Sequence, residues 1–106
     1  MINSIVGETT KLKGDFEIDG ILRIDGAFEG SIKGRTKVLI GEQGKAILNL
    51  DADEIIIGGH VEGKIKVTGT VKMLSSGYLK GDITASHIII EPGAFFSGKC
   101  KRVQEN

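Results

Sequence analysis

Ile55-Ile56-Ile57-Gly58-Gly59-His60-Val61-Glu62-Gly63-Lys64-Ile65-Lys66-Val67 holds one copy of everything that repeats in this chain. It opens on a triplet with apolar ends, turns at a glycine pair, and continues as apolar-x-Gly-x-apolar. The triplet recurs as Leu22-Arg23-Ile24, Val38-Leu39-Ile40, Val71-Lys72-Met73 and Ile88-Ile89-Ile90, so that successive copies begin at positions 22, 38, 55, 71 and 88. The glycine unit recurs as Leu12-Lys13-Gly14-Asp15-Phe16, Phe28-Glu29-Gly30-Ser31-Ile32, Leu79-Lys80-Gly81-Asp82-Ile83 and Phe96-Ser97-Gly98-Lys99-Cys100. One copy is degenerate: Ala46-Ile47-Leu48-Asn49-Leu50 carries Leu48 where the glycine belongs. A third alternation follows in Phe16/Ile18, Ile32/Gly34, Leu50/Ala52, Ile65/Val67 and Ile83/Ala85.

Alternation of period two places successive side chains on opposite faces of a strand, and no stretch sustains the helical period. A repeat of about 16–17 residues is too short for a strand-helix-strand unit. It fits one coil of a parallel β-helix with three short strands. Stacked at about 4.8 Å, about six coils make a rod roughly 30 Å long. The glycines Gly14, Gly30, Gly63, Gly81 and Gly98 then form a column at one corner, where the chain needs positive φ or has no room for a Cβ. A phosphate cradle would need such glycines to open a helix, and none follows them.

The 106 residues suit one domain, and 16 glycines against one proline, no tryptophan and one tyrosine agree with many short strands and tight turns. Fourteen basic and fourteen acidic residues balance and alternate along the chain. No basic block offers a footprint for nucleic acid, and near-neutrality permits self-association. Cys100 alone forms no internal disulfide, consistent with a reducing compartment. The first residues lack the basic flank and long apolar run of a signal peptide, and no stretch approaches the roughly 20 apolar residues of a membrane span. These features place the protein in the cytoplasm.

Residues 1–11 are read as a short tail and the start of the first coil, 12–100 as the β-helix, and 101–106 as a second tail. Little chain is left over for caps on the terminal coils. An uncapped coil presents a row of unpaired N–H and C=O groups and invites another end. The candidate end contacts are Phe95, Phe96 and Cys100 in the last coil, with Leu12 and Phe16 in the first. Of the two phenyl rings, the alternation points Phe96 inward, whereas Phe95 either joins an end contact or plugs the coil. Leu39, Ile56 and Ile89 occupy the nominally outward middle of the triplets. They form a candidate lateral contact unless a bulge turns them in.

Leu22-Arg23-Ile24-Asp25-Gly26, Val38-Leu39-Ile40-Gly41-Glu42, Ile57-Gly58-Gly59-His60-Val61-Glu62-Gly63 and Gly93-Ala94-Phe95-Phe96-Ser97-Gly98-Lys99-Cys100 together resemble the bactofilins, bacterial cytoskeletal proteins. The likeness runs from about Val6 to Cys100. It implies a right-handed, triangular β-helix of about six turns that assembles without nucleotide into non-polar filaments, through contacts between the ends of like subunits. It further implies roles in cell shape, as a scaffold for cell-wall (peptidoglycan) synthesis or hydrolysis enzymes at the inner membrane. The aromatic that supports polymerisation in the family corresponds to Phe96. The family's long tails are lacking, and Met1-Ile2 with Ile5-Val6 is a short substitute for its membrane-touching segment.

Chemistry-bearing residues have bland explanations. His60 sits at a turn and His87 precedes a strand, without the convergent partners of a metal site or general base. Asp19 and Asp25 lie in two Ile-Asp-Gly copies, short of the sustained nonapeptide that binds calcium. Asp51, Asp53 and Glu54 are solvated corner carboxylates, Ser75-Ser76-Gly77 and Pro92-Gly93 are turns, and Cys100 reads as a small core residue. No enzyme activity, cofactor or metal is expected. Two alternatives stay open. One is a left-handed β-helix acyltransferase, whose strict hexapeptide spacing the unequal steps of the triplets do not keep. The other is an adaptor that binds a cell-wall enzyme without polymerising.

Overall fold

The computed structural model describes residues 2–7 and 9–102. They form twelve strands: β1 Ile2–Val6, β2 Lys11–Glu17, β3 Gly20–Ile24, β4 Ala27–Lys33, β5 Thr36–Ile40, β6 Lys45–Ala52, β7 Glu54–Ile57, β8 His60–Val67, β9 Thr70–Met73, β10 Tyr78–Ala85, β11 His87–Ile90 and β12 Phe95–Arg102. Among the described residues no helix interrupts them. Odd-numbered strands stack in chain order into one six-stranded sheet and even-numbered strands into another. Every pairing is parallel. Each odd–even pair is one rung, so the chain is a β-solenoid of six rungs, five steps from first to last.

The register places the repeats where their spacing puts them. Leu22, Val38, Ile55, Val71 and Ile88 lie one above another. So do Leu12, Phe28, Ala46, Val61, Leu79 and Phe96. Phe16, Ile32, Leu50, Ile65, Ile83 and Cys100 form a third stack. All three line one core, which holds Ile24, Ile32, Val38, Ile55, Ile57, Ile65, Met73 and Leu79 almost completely out of solvent. Each such side chain contributes about 1.5–3 kcal/mol by leaving water.

Midway along every even strand but β6 the backbone passes through a glycine of positive φ, which marks a bend and divides the strand into two arms. Gly81 shows why glycine is required. Its φ is +143°, and a Cβ there would fall on the carbonyl oxygen of Gly63 one rung below. Gly14, Gly30, Gly63 and Gly98 share the positive φ. Leu48 does not: among the described residues only glycines have positive φ, and the Leu48 side chain is buried in the core. The degenerate copy thus keeps an ordinary φ at this position and gains an apolar side chain.

The corners absorb differences in length. The turns at 41–44, 74–77 and 91–94 are longer than the tight corners at 25–26 and 58–59. The long turns close on themselves through Gly44 N–H to Gly41 O at 2.8 Å and Gly77 N–H to Leu74 O at 2.8 Å. Rungs are tied at the corners as well, by Gly58 N–H to Ile40 O at 2.7 Å and Leu74 N–H to Ile57 O at 2.9 Å.

One polar atom in the core lacks a partner. Thr36, at the start of β5, is 1% exposed, and its Oγ1 makes no hydrogen bond among the described residues. A buried hydroxyl without a partner costs about 1–3 kcal/mol, and valine has the same shape and suits a strand. Thr36→Val is therefore expected to stabilise the fold by about 1 kcal/mol, visible as a higher midpoint in urea denaturation with an unchanged slope.

Candidate functional site

Two outer columns of the rod carry charges that alternate from rung to rung over part of their length. Glu17, Lys33, Asp51 and Lys66 form one, and Lys64, Asp82 and Lys99 belong to another. Opposite charges facing each other across strands are favourable, like charges unfavourable. Along these two stretches neighbouring rungs therefore attract.

The residues with chemical potential are occupied in ordinary ways. His60 Nε2 lies 3.1 Å from Glu62 Oε1, and the His60 ring stacks on Tyr78 with centroids 4.4 Å apart. Asp25 accepts a hydrogen bond from Arg23 Nε at 2.9 Å, Asp19 accepts one from the Arg35 N–H, and Asp53 accepts one from the Thr68 hydroxyl at 3.4 Å. Ser76 Oγ donates to Gly58 O at 2.7 Å, and the Ser75 N–H donates to Glu91 at 3.2 Å. His87 is exposed at the start of β11. Among the described residues no three His, Cys, Asp or Glu side chains gather to hold a metal ion. A shallow groove over Ala27, bordered by Lys11, Lys45, Glu29 and Ile47, brings no acid–base pair together.

The ends of the rod differ from its sides. At the C-terminal rung the inward columns continue, and among the described residues nothing covers them. Met73 is fully buried, while Ile90 directly above it is 45% exposed. Leu79 is buried, while Phe96 above it is half-buried against the core. Ile83 is buried, while Cys100 above it is exposed. The expectation that Cys100 is a core residue is thereby corrected: it holds a core column position, but in the last rung that column is open. Leu12 and Phe16 are likewise half-buried in the first rung, where Phe16 meets the Phe28 ring at 5.6 Å.

Phe95 has a different position from Phe96. It stands outside the core on a ladder of rings that continues the stack of His60 on Tyr78. Its ring lies 4.7 Å from that of Tyr78 and 10° from parallel. Rings stacked at the rung spacing have their faces along the rod axis, so the free face of Phe95, a residue 50% exposed, points off the end. Sequence reasoning did not find this ladder. Its members are unequally spaced along the chain, and their relation becomes visible only through the register His60–Tyr78–Phe95.

Leu39, Ile56 and Ile89 share an outward column with Arg23 and Lys72. No bulge turns them inward. Leu39 and Ile56 are half-covered by their neighbours, and Ile89, in the last rung, is 50% exposed.

The model of one protein family, described as bactofilin, polymer-forming cytoskeletal, matches residues 4–101. The chain belongs to the bactofilin family. Among curated relatives it is similar to bactofilin BacP of Myxococcus xanthus (strain DK1622), with 30% identity over 97 residues. That match covers 92% of this chain and 40% of BacP. It is also similar to bactofilin BacO of the same organism, with 28% identity over 98 residues, 92% of this chain and 78% of BacO. The chain thus spans less than half the length of the first of these relatives. No solved structure matches it. Bactofilins are a polymer-forming, structural family. Of the described residues, no helix is long and apolar enough to cross a membrane. Any membrane contact through Met1 falls outside the described residues, as do residues 103–106 of the C-terminal tail.

Proposed function

We propose that this bactofilin assembles end to end, without nucleotide, into non-polar filaments that scaffold cell-shape and cell-wall enzymes on the cytoplasmic side of the membrane. The observation that carries the reading is the open C-terminal rung. Ile90, Phe96 and Cys100 prolong core columns whose members one rung below are buried, and the edges of β11 and β12 leave backbone groups without a following strand among the described residues. A second rung placed there buries the apolar groups and pairs the backbone in one step. Edge pairing and apolar burial need no hydrolysable ligand, so assembly is set by concentration alone. Contacts between like ends are isologous, and alternating two kinds of them yields a filament without polarity.

Phe95, Phe96, Cys100, Leu12 and Phe16 are the residues assigned to the junctions. Leu39, Ile56 and Ile89 are assigned to side-by-side contact, because they are the apolar positions of one outward column, which Lys72 interrupts between Ile56 and Ile89. Negative-stain electron microscopy of the purified protein at moderate salt, with no nucleotide present, is expected to show filaments about as wide as one rod. Monodisperse particles at high concentration would instead support an adaptor that binds partners without polymerising.

A further inference from the structure

The N-terminal edge strand is complementary to itself. β2 reads Lys11-Leu12-Lys13-Gly14-Asp15-Phe16-Glu17, with alternating exposed and half-buried residues. Two lysines precede the bend at Gly14 and two carboxylates follow it, at mirrored distances. Placed against a second copy of itself, antiparallel and centred on Gly14, the strand sets Lys11 opposite Glu17 of the second copy and Lys13 opposite Asp15 of the second copy. The two-fold repeats both pairs. Leu12 then faces Phe16 of the second copy, and Gly14 faces Gly14. The bend at Gly14 lies on the two-fold, so each arm of one copy overlies the other arm of its mate.

We infer that β2 is an electrostatic self-docking edge whose occupant is the β2 edge of a second copy. This inference rests on the end-to-end reading above and assigns the chemistry of one of its two junctions. Charge complementarity distinguishes it from the other pairings the ends allow. β12 carries Phe95, Ser97, Lys99 and Lys101 at the corresponding positions. Paired with itself about Gly98 it offers no acidic partner. Laid in parallel over β2 it satisfies only Lys99 with Asp15 and Lys101 with Glu17, leaving Lys11 and Lys13 against Phe95 and Ser97. Only β2 against β2 gives all four charged residues a partner of opposite sign. Among the described residues Lys11, Lys13 and Glu17 make no ion pair within one copy, and Asp15 only accepts a hydrogen bond from Ser31 Oγ at 2.7 Å.

The test is a charge-swapped pair of full-length proteins. One carries Lys11→Glu with Lys13→Glu, so that its edge is wholly acidic. The other carries Asp15→Lys with Glu17→Lys, so that its edge is wholly basic. All four positions are exposed, and far-UV circular dichroism is expected to show both variants as β-rich as the parent. Each alone is expected to stop at two-subunit particles joined by C-terminal ends in sedimentation velocity. An equal mixture is expected to recover filaments, because an acidic edge then meets a basic one. Filaments from either variant alone, or no recovery in the mixture, would overturn the assignment. If the acidic variant polymerises while the basic one does not, the ends join in parallel and β2 does not dock on itself. Should a double variant misfold, Lys11→Glu and Glu17→Lys serve as the exchange pair with the same expected recovery. Absence of filaments from the parent protein would instead defeat the end-to-end reading itself, so the two failures are told apart.

Discussion

Gly81→Ala is expected to destabilise this small protein by about 4 kcal/mol, a large share of the total for a domain of its size. Two causes add. At φ +143° an L-residue is strained, by about 1–3 kcal/mol. The new Cβ also falls on the carbonyl oxygen of Gly63, so the two rungs must separate or the bend must open, and overpacking of this kind costs about 1–3 kcal/mol more. The rungs on either side share the column, so local relaxation is limited to the length of one strand arm. Urea denaturation followed by far-UV circular dichroism, at concentrations below assembly, reads the loss directly. The reverse change elsewhere in the column is the control. Leu48→Gly removes a buried side chain from a residue of ordinary φ, and should cost about 2–5 kcal/mol through the cavity it leaves. If both changes were nearly neutral, the column would not be the element that shapes the coil.

The same column shows how much of the molecule could be read before the structure. Core positions were legible because the triplets recur at nearly constant steps, and a period of two leaves no doubt which side of a strand is apolar. The register of Leu22, Val38, Ile55, Val71 and Ile88 follows from that alone. The corners were not legible. Their turns vary in length, so the glycine column advances from Gly30 through Leu48 to Gly63 in unequal steps, and a leucine can occupy it where φ is ordinary. Exposure at the ends was half-legible. Phe96 was placed inward by its alternation, and it packs on the core. Cys100 has the same alternation and is exposed, because burial in a solenoid depends on the next rung, and among the described residues no strand follows β12. The ring ladder and the charge columns depend on side chains a full coil apart, and no local pattern announces them.

Phe96→Arg is expected to leave a folded, β-rich protein and to abolish filaments. In a single copy Phe96 is only half-buried, so an arginine there can turn its guanidinium to water at the open end while its stem covers part of Leu79. The fold loses some apolar packing and keeps its lower rungs. At a junction the outcome is different. The second end removes water from the charge, nothing in the core columns of Ile90, Phe96 and Cys100 offers an acidic partner, and a two-fold contact brings two such charges together. An unpaired charge buried in this way costs several kcal/mol. Each ~1.4 kcal/mol lowers the association constant tenfold. The C-terminal junction therefore fails first, and the protein is expected to sediment as two-subunit particles held by their N-terminal edges. Adding Lys11→Glu and Lys13→Glu to Phe96→Arg removes that remaining contact and should give monomers. Filaments that persist with arginine at position 96 would take this residue out of the junction, and the exposed columns above Met73, Leu79 and Ile83 would then need some cover other than a second copy.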